Sequence, residues 1–208
     1  MSGSSPLIHI VDDDAGYRAA VARLLEASGY RVALYASAKE LLQTPPPAEA
    51  GCILLDIQMD GLNGLELQER LAQLGNRLPI VFLTGHADVP SSVRAIKAGA
   101  EDFLTKPAPK NVLLAAVQRA LARFHAAAES DERIGALRAR LAKLTPRERE
   151  VFELVVRGRL NKQIAHQLGA SERTIKAHRH NIMYKLEMQS VAELVLFAER
   201  TGVLEQES

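Results

Sequence analysis

Four short apolar runs in this chain each end in a polar residue able to do chemistry. Leu7-Ile8-His9-Ile10-Val11 runs into Asp12-Asp13-Asp14, and Gly51-Cys52-Ile53-Leu54-Leu55 into Asp56. Pro79-Ile80-Val81-Phe82-Leu83 runs into Thr84, and Asp102-Phe103-Leu104-Thr105 into Lys106-Pro107. Carboxylates brought together at one edge repel one another and favour a divalent cation; hard oxygen ligands with sites left for water and phosphate suit Mg²⁺. An ionised aspartate beside such a metal, here Asp56, is a nucleophile toward a phosphoryl group and gives an acyl phosphate. Lys106 supplies a fixed positive charge for the phosphoryl oxygens and Thr84 a hydroxyl donor. Taken singly, each residue has a plainer reading. An aspartate after a strand usually caps a helix, and a lysine there is usually solvated; the joint placement is what points to chemistry.

The elements that must position these groups follow from the apolar pattern. The runs have strand length and strand composition, and Arg31 to Tyr35 reads as another strand. Between them lie helical patterns. One carries Ala19, Val21, Leu24 and Leu25 and stops at Gly29; a short one is opened by Ser37-Ala38-Lys39-Glu40 and closed by Pro45-Pro46-Pro47. Asn63-Gly64-Leu65-Glu66 starts a third with Leu67 and Leu71, a fourth runs from about Val89 to Gly99, and a fifth from about Pro109 into the 120s. Strands alternating with helices predict a doubly wound, five-stranded parallel sheet covered on both faces, an α/β fold. All strand ends then share one edge, where open α/β sheets bind ligands.

After residue 126 the pattern is wholly helical. Ile134, Leu137, Leu141 and Leu144 recur at helical spacing in an Ala-, Glu- and Arg-rich stretch, predicting an amphipathic helical linker over 126–143 whose stripe packs on its own chain or on a partner's. Asp131 and Gly135 interrupt any apolar seam continuing from Phe124, which argues against a long rigid rod. Thr145-Pro146-Arg147-Glu148 is a helix start with a threonine cap, proline at the first position and glutamate at the third. Asn161 to Leu168, the turn Gly169-Ala170, and a longer helix capped by Ser171 predict a helix-turn-helix in an all-α domain over 144–204, closed by a helix that Ser190 caps. The sheet domain is bounded as 6–125.

Composition sets outer limits. With 208 residues, 47% hydrophobic and 25% charged, the chain has material for ordinary buried cores. Cys52 is the sole cysteine, which excludes an intramolecular disulfide and a cysteine metal cage. No apolar run nears the roughly 18 residues of a membrane span, and the N-terminus lacks signal-peptide character; a cytoplasmic protein without membrane attachment is expected. The net charge is +1, yet residues 157 to 185 hold Arg157, Arg159, Lys162, Arg173, Lys176, Arg179 and Lys185 against Glu172 alone, so seven minus one gives +6 locally. In the longer helix Ile175, Ile182 and Leu186 form the inward set, with His178 nearer to it. Arg173, Lys176, Arg179 and His180 project elsewhere, on a surface able to enter a DNA major groove.

Residues 7 to about 125 resemble a two-component receiver domain, carrying Asp12-Asp13, Asp56, Thr84 and Lys106-Pro107 in order, together with Ala98-Gly99-Ala100-Glu101-Asp102-Phe103-Leu104-Thr105. The resemblance implies that Asp56 accepts phosphate from a sensor histidine kinase and that Asp12, Asp13, Asp56 and the backbone carbonyl of Gln58 hold Mg²⁺. It also implies that Thr84 and Phe103 form a switch pair and that the Lys106-Pro107 bond is cis. Asp60 departs from the pattern by standing where the family has proline, and His86 occupies a position that influences phosphate lifetime. Residues from about 140 to 203 resemble the LuxR-type DNA-binding domain of NarL and FixJ regulators, through Leu144-Thr145-Pro146-Arg147-Glu148-Arg149-Glu150-Val151, Asn161-Lys162-Gln163-Ile164-Ala165 and Ser171-Glu172-Arg173-Thr174-Ile175-Lys176-Ala177-His178. By that resemblance Lys176, Ala177 and His180 sit where bases are contacted, and Lys162 and Thr174 where phosphates are held.

Together these imply a phosphorylation-activated transcriptional regulator rather than an enzyme. Its expected partners are a histidine kinase, promoter DNA, a second copy of itself after phosphorylation, and RNA polymerase. Arg94 and Lys97, with Glu101 and Asp102 nearby, are expected to pair across a symmetric receiver dimer. Two rival classes remain in view. A Mg²⁺-dependent phosphatase of the haloacid-dehalogenase kind carries a second aspartate two residues after the nucleophile, where this chain has Gln58. A phosphate-independent DNA-binding scaffold follows if Asp60 cripples metal binding.

Overall fold

The structure is a computed structural model, and it describes residues 5–43, 46, 50–85 and 89–204. The chain divides into two compact units, residues 1–128 and 129–208. In the first, strands β1 (Leu7–Val11), β2 (Arg31–Tyr35), β3 (Gly51–Asp56), β4 (Ile80–Thr84) and β5 (Asp102–Thr105) form one parallel sheet in the order β2-β1-β3-β4-β5. Helices α1 (Ala15–Glu26), α2 (Ala38–Gln43), α3 (Gly64–Gln73) and α4 (Val89–Lys97) connect them, and α5 (Lys110–Leu141) follows.

Each face of the sheet has its own core, as the two-residue period of a strand requires. Ile8, Ile10, Cys52, Leu54, Val81 and Leu83 point to one side, against Leu25 of α1 and Leu113 and Val117 of α5. The alternate residues Val11, Ile53, Leu55, Ile80 and Phe82 point to the other, against Leu41, Leu67 and Leu71 of α2 and α3 and Ala95 of α4. Cys52 is fully buried beside Ile8, and burial pushes its thiol up to about 12.

Local signals in the sequence set the helix ends. Asn63 and Glu66 form a reciprocal capping box at α3, with both bonds at 3.0 Å. At α2 the box is offset: the Glu40 N–H donates to Ser37 Oγ, but the Glu40 carboxylate accepts from Ala36 N–H rather than from Ser37. The interrupted seam does not interrupt the helix, and a long continuous helix forms where the sequence argued against a rod. α5 runs unbroken for 32 residues through Asp131 and Gly135. One glycine costs only about 1 kcal/mol in a helix, and the surrounding alanines together with the Glu129–Arg133 pair at 3.4 Å offset it. Of Pro45-Pro46-Pro47, Pro45 and Pro47 lie outside the described residues.

The second unit holds α6 (Pro146–Val156), α7 (Asn161–Gln167), α8 (Glu172–Leu186) and α9 (Val191–Arg200). Val151, Phe152, Val155, Ile164, Ile175, Ile182, Leu186 and Phe197 make its core, with Phe152 and Phe197 edge to face at 6.1 Å. Ser171 Oγ accepts from the Thr174 N–H and caps α8. Among the described residues no helix is long and apolar enough to cross a membrane.

Candidate phosphoacceptor pocket and DNA-facing helix

The strand order reverses at β1 and β3. From β1 the chain adds β2 on one side, and then β3, β4 and β5 on the other. The carboxyl ends of these two neighbours carry Asp12 and Asp56, the place where an open α/β sheet leaves a crevice. Both are almost wholly buried, while Asp13 is exposed. The carboxylates of Asp12, Asp13 and Asp56 bring oxygens within 4.8 Å of one another. Asp14, the last of the acidic run, turns away to cap α1, accepting from the N–H groups of Gly16 and Tyr17 at 2.8 and 3.0 Å.

Lys106 reaches into this cluster from the end of β5. Its ammonium lies 2.6 Å from Asp12 Oδ2 and 2.7 Å from Asp56 Oδ2. The Lys106-Pro107 bond is cis, as the resemblance implies, and the Lys106 N–H donates to the Thr84 carbonyl at 2.7 Å. Burial raises the Asp12 carboxyl above its ordinary range, Lys106 only partly offsets this, and Asp56 beside it adds to the rise. For Lys106, burial favours the neutral amine, but hydrogen bonds to two carboxylates outweigh it and hold the ammonium above its ordinary value.

The pocket suits a hard divalent cation. Three carboxylates against one ammonium leave a formal balance of −2, with the buried Asp12 Oδ2 meeting the Lys106 ammonium at 2.6 Å. The Gln58 N–H donates to Asp56 Oδ1 at 3.1 Å, which brings the Gln58 backbone to the rim. The Asp60 N–H donates to Asp13 Oδ2 at 3.3 Å, so the residue at the family's proline position ties its loop to a candidate metal ligand. Gly64 closes the floor: its N–H donates to the Ile57 carbonyl at 2.9 Å, and a Cβ there would lie 2.2 Å from the Asp56 carbonyl oxygen.

Thr84 is buried at the end of β4 next to Thr105 of β5. Phe103 is half-buried, its ring 6.3 Å from that of Phe82. His86 lies outside the described residues. Sequence reasoning missed Tyr17, whose ring lies 4.7 Å beneath the Lys106 ammonium. The signal available was its place in the first turn after the Asp14 cap, and at that spacing an aromatic reads simply as core.

On α8, Arg173, Thr174, Lys176, Ala177 and His180 are exposed, and His178 is half-buried. Lys162 is exposed on α7. The Thr174 hydroxyl shares a 2.9 Å hydrogen bond with Ser171 Oγ. Two further residues expected to face DNA, Arg179 and Lys185, have side-chain partners within the domain. Arg179 donates to Asn161 Oδ1 at 2.9 Å, tying α8 to α7. The Lys185 ammonium lies 2.6 Å from the buried Glu148 carboxylate, tying the end of α8 to the start of α6. The Glu148 partner is buried, whereas Asn161 is half-buried. Three of the residues expected to pair across a receiver dimer have partners within this single chain: Arg94 with Glu69 at 2.6 Å, Glu101 with Arg123 at 2.9 Å, and Asp102 with Arg119. Helices α3 and α5 bring these counter-charges to the same surface.

Residues 8–118 match the response regulator receiver domain family, and residues 142–198 the luxR family of bacterial regulatory proteins. The chain is 42% identical over 200 residues to the response regulator protein TmoT of Ectopseudomonas mendocina, covering 96% of this chain and 91% of that one. It is 40% identical over 197 residues to the transcriptional regulatory protein FixJ of Bradyrhizobium diazoefficiens, covering 95% and 96%. Among solved structures, the response regulator StyR superposes with a TM-score of 0.79 at 41% identity, covering 95% of this chain and 100% of that one. Full-length FixJ from B. japonicum gives 0.60 at 39%, covering 96% and 99%.

Proposed function

The chain belongs to the NarL/FixJ family of response regulators, phosphorylation-regulated transcription regulators, and on that premise we propose that Asp56 is its phosphoacceptor and Mg²⁺ its cofactor. Residues 6–125 serve as the phosphoacceptor domain, 126–143 as the connecting segment and 144–204 as the DNA-binding domain. The observation that carries this reading is the Lys106 ammonium lying between the buried carboxylates of Asp12 and Asp56 at the strand-order switch point.

Asp12, Asp13, Asp56 and the Gln58 carbonyl would hold Mg²⁺. When bound, it neutralises the carboxylates and the charge on the incoming phosphoryl oxygens. An Asp56 carboxylate oxygen attacks the phosphorus of a sensor kinase's phosphohistidine; the new O–P bond forms as the P–N bond breaks, and the imidazole leaves with the electron pair. Lys106 then exchanges its carboxylate contacts for a phosphoryl oxygen, and the Thr84 hydroxyl donates to another. As Thr84 moves, Phe103 follows, and the population shifts toward a conformer with an altered surface over residues 89–125. Val89, Val93 and Ile96 are already exposed on α4 and offer apolar area for a homodimer.

In a dimer two DNA-binding domains reach half-sites about one helical turn apart. Lys176, Ala177 and His180 read base edges in promoter DNA, while Lys162, Arg173 and Thr174 hold phosphates. Arg179 and Lys185 act indirectly, by fixing α8. RNA polymerase is the downstream partner of such a dimer.

The test is Asp56→Asn. Acetyl phosphate with Mg²⁺ is expected to label the wild type, to drive its dimerisation and to raise its promoter affinity, and to do none of these to the variant. A variant that still switches would mean the pocket is not the trigger. Chelating divalent cations is expected to abolish labelling of the wild type.

A further inference from the structure

We propose that Tyr17 is a positioning residue for phosphoryl transfer, holding the Lys106 ammonium over the Asp12–Asp56 pair from the α1 side; this rests on the phosphoacceptor reading above. Asp14, by capping α1 through the N–H groups of Gly16 and Tyr17, sets the first turn and with it the direction of Tyr17. The Tyr17 ring then packs at the edge of the core between α1 and α5, and its face meets Lys106 Nζ at 4.7 Å. Ala108, two residues beyond Lys106, packs against the same edge of the core as Tyr17. Tyr17 therefore meets the start of the β5–α5 loop at Lys106, with Ala108 beside it in the core.

A lysine side chain has four rotatable bonds and much rotamer freedom to lose. The two carboxylates fix where its charge sits in the resting pocket, but they are the groups it must leave when a phosphoryl group arrives. The ring restrains the stem and the ammonium without competing for phosphoryl oxygens, since its attraction is to the cation through the π face. The charge is thereby kept within reach of the reacting oxygens, and a preorganised cation assists transfer more than one that must be gathered from solvent. A purely structural Tyr17, filling space beside the core, would affect stability without acting through Lys106.

The experiment is a double-mutant cycle on the full chain, following phosphate incorporation at Asp56 from acetyl phosphate with Mg²⁺ by mass spectrometry. Tyr17→Leu is expected to slow labelling about three- to tenfold, the range an aromatic–cation contact supports. Tyr17→Phe, which keeps the ring, should remain closer to the wild type. Tyr17→Met, which fills similar volume without a π face, serves if the leucine variant does not fold. In a Lys106→Ala background, losing the ring should change the rate by less than about twofold. An equal loss with and without Lys106, or an unchanged rate in both Tyr17→Leu and Tyr17→Met, would overturn the proposal. No labelling of the wild type would instead overturn the phosphoacceptor reading beneath it.

Discussion

Replacing Glu148 by alanine should uncouple the DNA-facing helix from the rest of its domain. Glu148 Oε2 accepts the Thr145 N–H at 2.8 Å and the Lys185 ammonium at 2.6 Å, and the Glu148 N–H donates to Thr145 Oγ1 at 3.3 Å. The side chain is only 4% exposed, so the carboxylate joins the first turn of α6 to the last turn of α8 inside the fold. Losing its part of the capping box costs about 1 kcal/mol. Losing the charge-assisted bond costs about 1–2 kcal/mol, at the low end of its range because Lys185 is one-third exposed and can turn to water. The sum, about 2–3 kcal/mol in a unit of 80 residues, corresponds to a fall in Tm of roughly 10–20 °C. Scanning calorimetry of the full chain should show the second unit's transition moving by that amount, and promoter affinity should fall with it. Burial alone would raise the Glu148 pKa, but Lys185 and Thr145 more than reverse this and hold it below the ordinary 4.5. A depressed folded pKa gives stability that is fully present above the ordinary value and is lost as pH falls through the folded one. The wild-type transition should therefore drop below about pH 4.5, and Glu148→Gln should flatten that drop. A Glu148→Ala transition within a degree or two of wild type would refute the reasoning, as would a pH profile that Glu148→Gln leaves unaltered.

Two further outcomes test other parts of the molecule. Gly64→Ala drives a methyl to 2.2 Å from the Asp56 carbonyl oxygen and 2.9 Å from Ile57 Cα, both backbone atoms unable to yield. It should cost about 1–3 kcal/mol in stability and slow phosphate labelling, read by thermal melts alongside mass spectrometry. Lys176→Ala should weaken binding to cognate promoter by about tenfold or more while sparing unrelated DNA; an equal loss on both in mobility-shift titrations would make Lys176 a phosphate contact.

The pocket was legible because its parts obey local rules. Asp12, Asp56, Thr84 and Lys106 each close an apolar run, and a parallel sheet carries all such ends to one edge. The caps at Asn63, Thr145 and Ser171 were legible for the same reason, since a cap is a matter of three or four consecutive residues. What stayed hidden depends on partners distant in the chain. Nothing near Lys185 announces that its charge belongs to Glu148, 37 positions earlier, or that Arg179 is held by Asn161. No residue near Tyr17 in the chain marks its partner, and only the fold sets Lys106 over its ring. The length of α5 was hidden for a different reason: Asp131 and Gly135 break the apolar seam, but their helix penalty is small against the good helix formers around them, so the helix continues where the seam does not.

The lone thiol has a practical consequence. Cys52 sits in a central strand with no solvent exposure, and its pKa is near 12, so at neutral pH it is neither reachable nor reactive in the intact sheet. A thiol-directed reagent can modify it only when β3 is uncovered. The protein thus contains its own clock for opening of the sheet that carries Asp56, readable by quenched labelling without a tag or an engineered site.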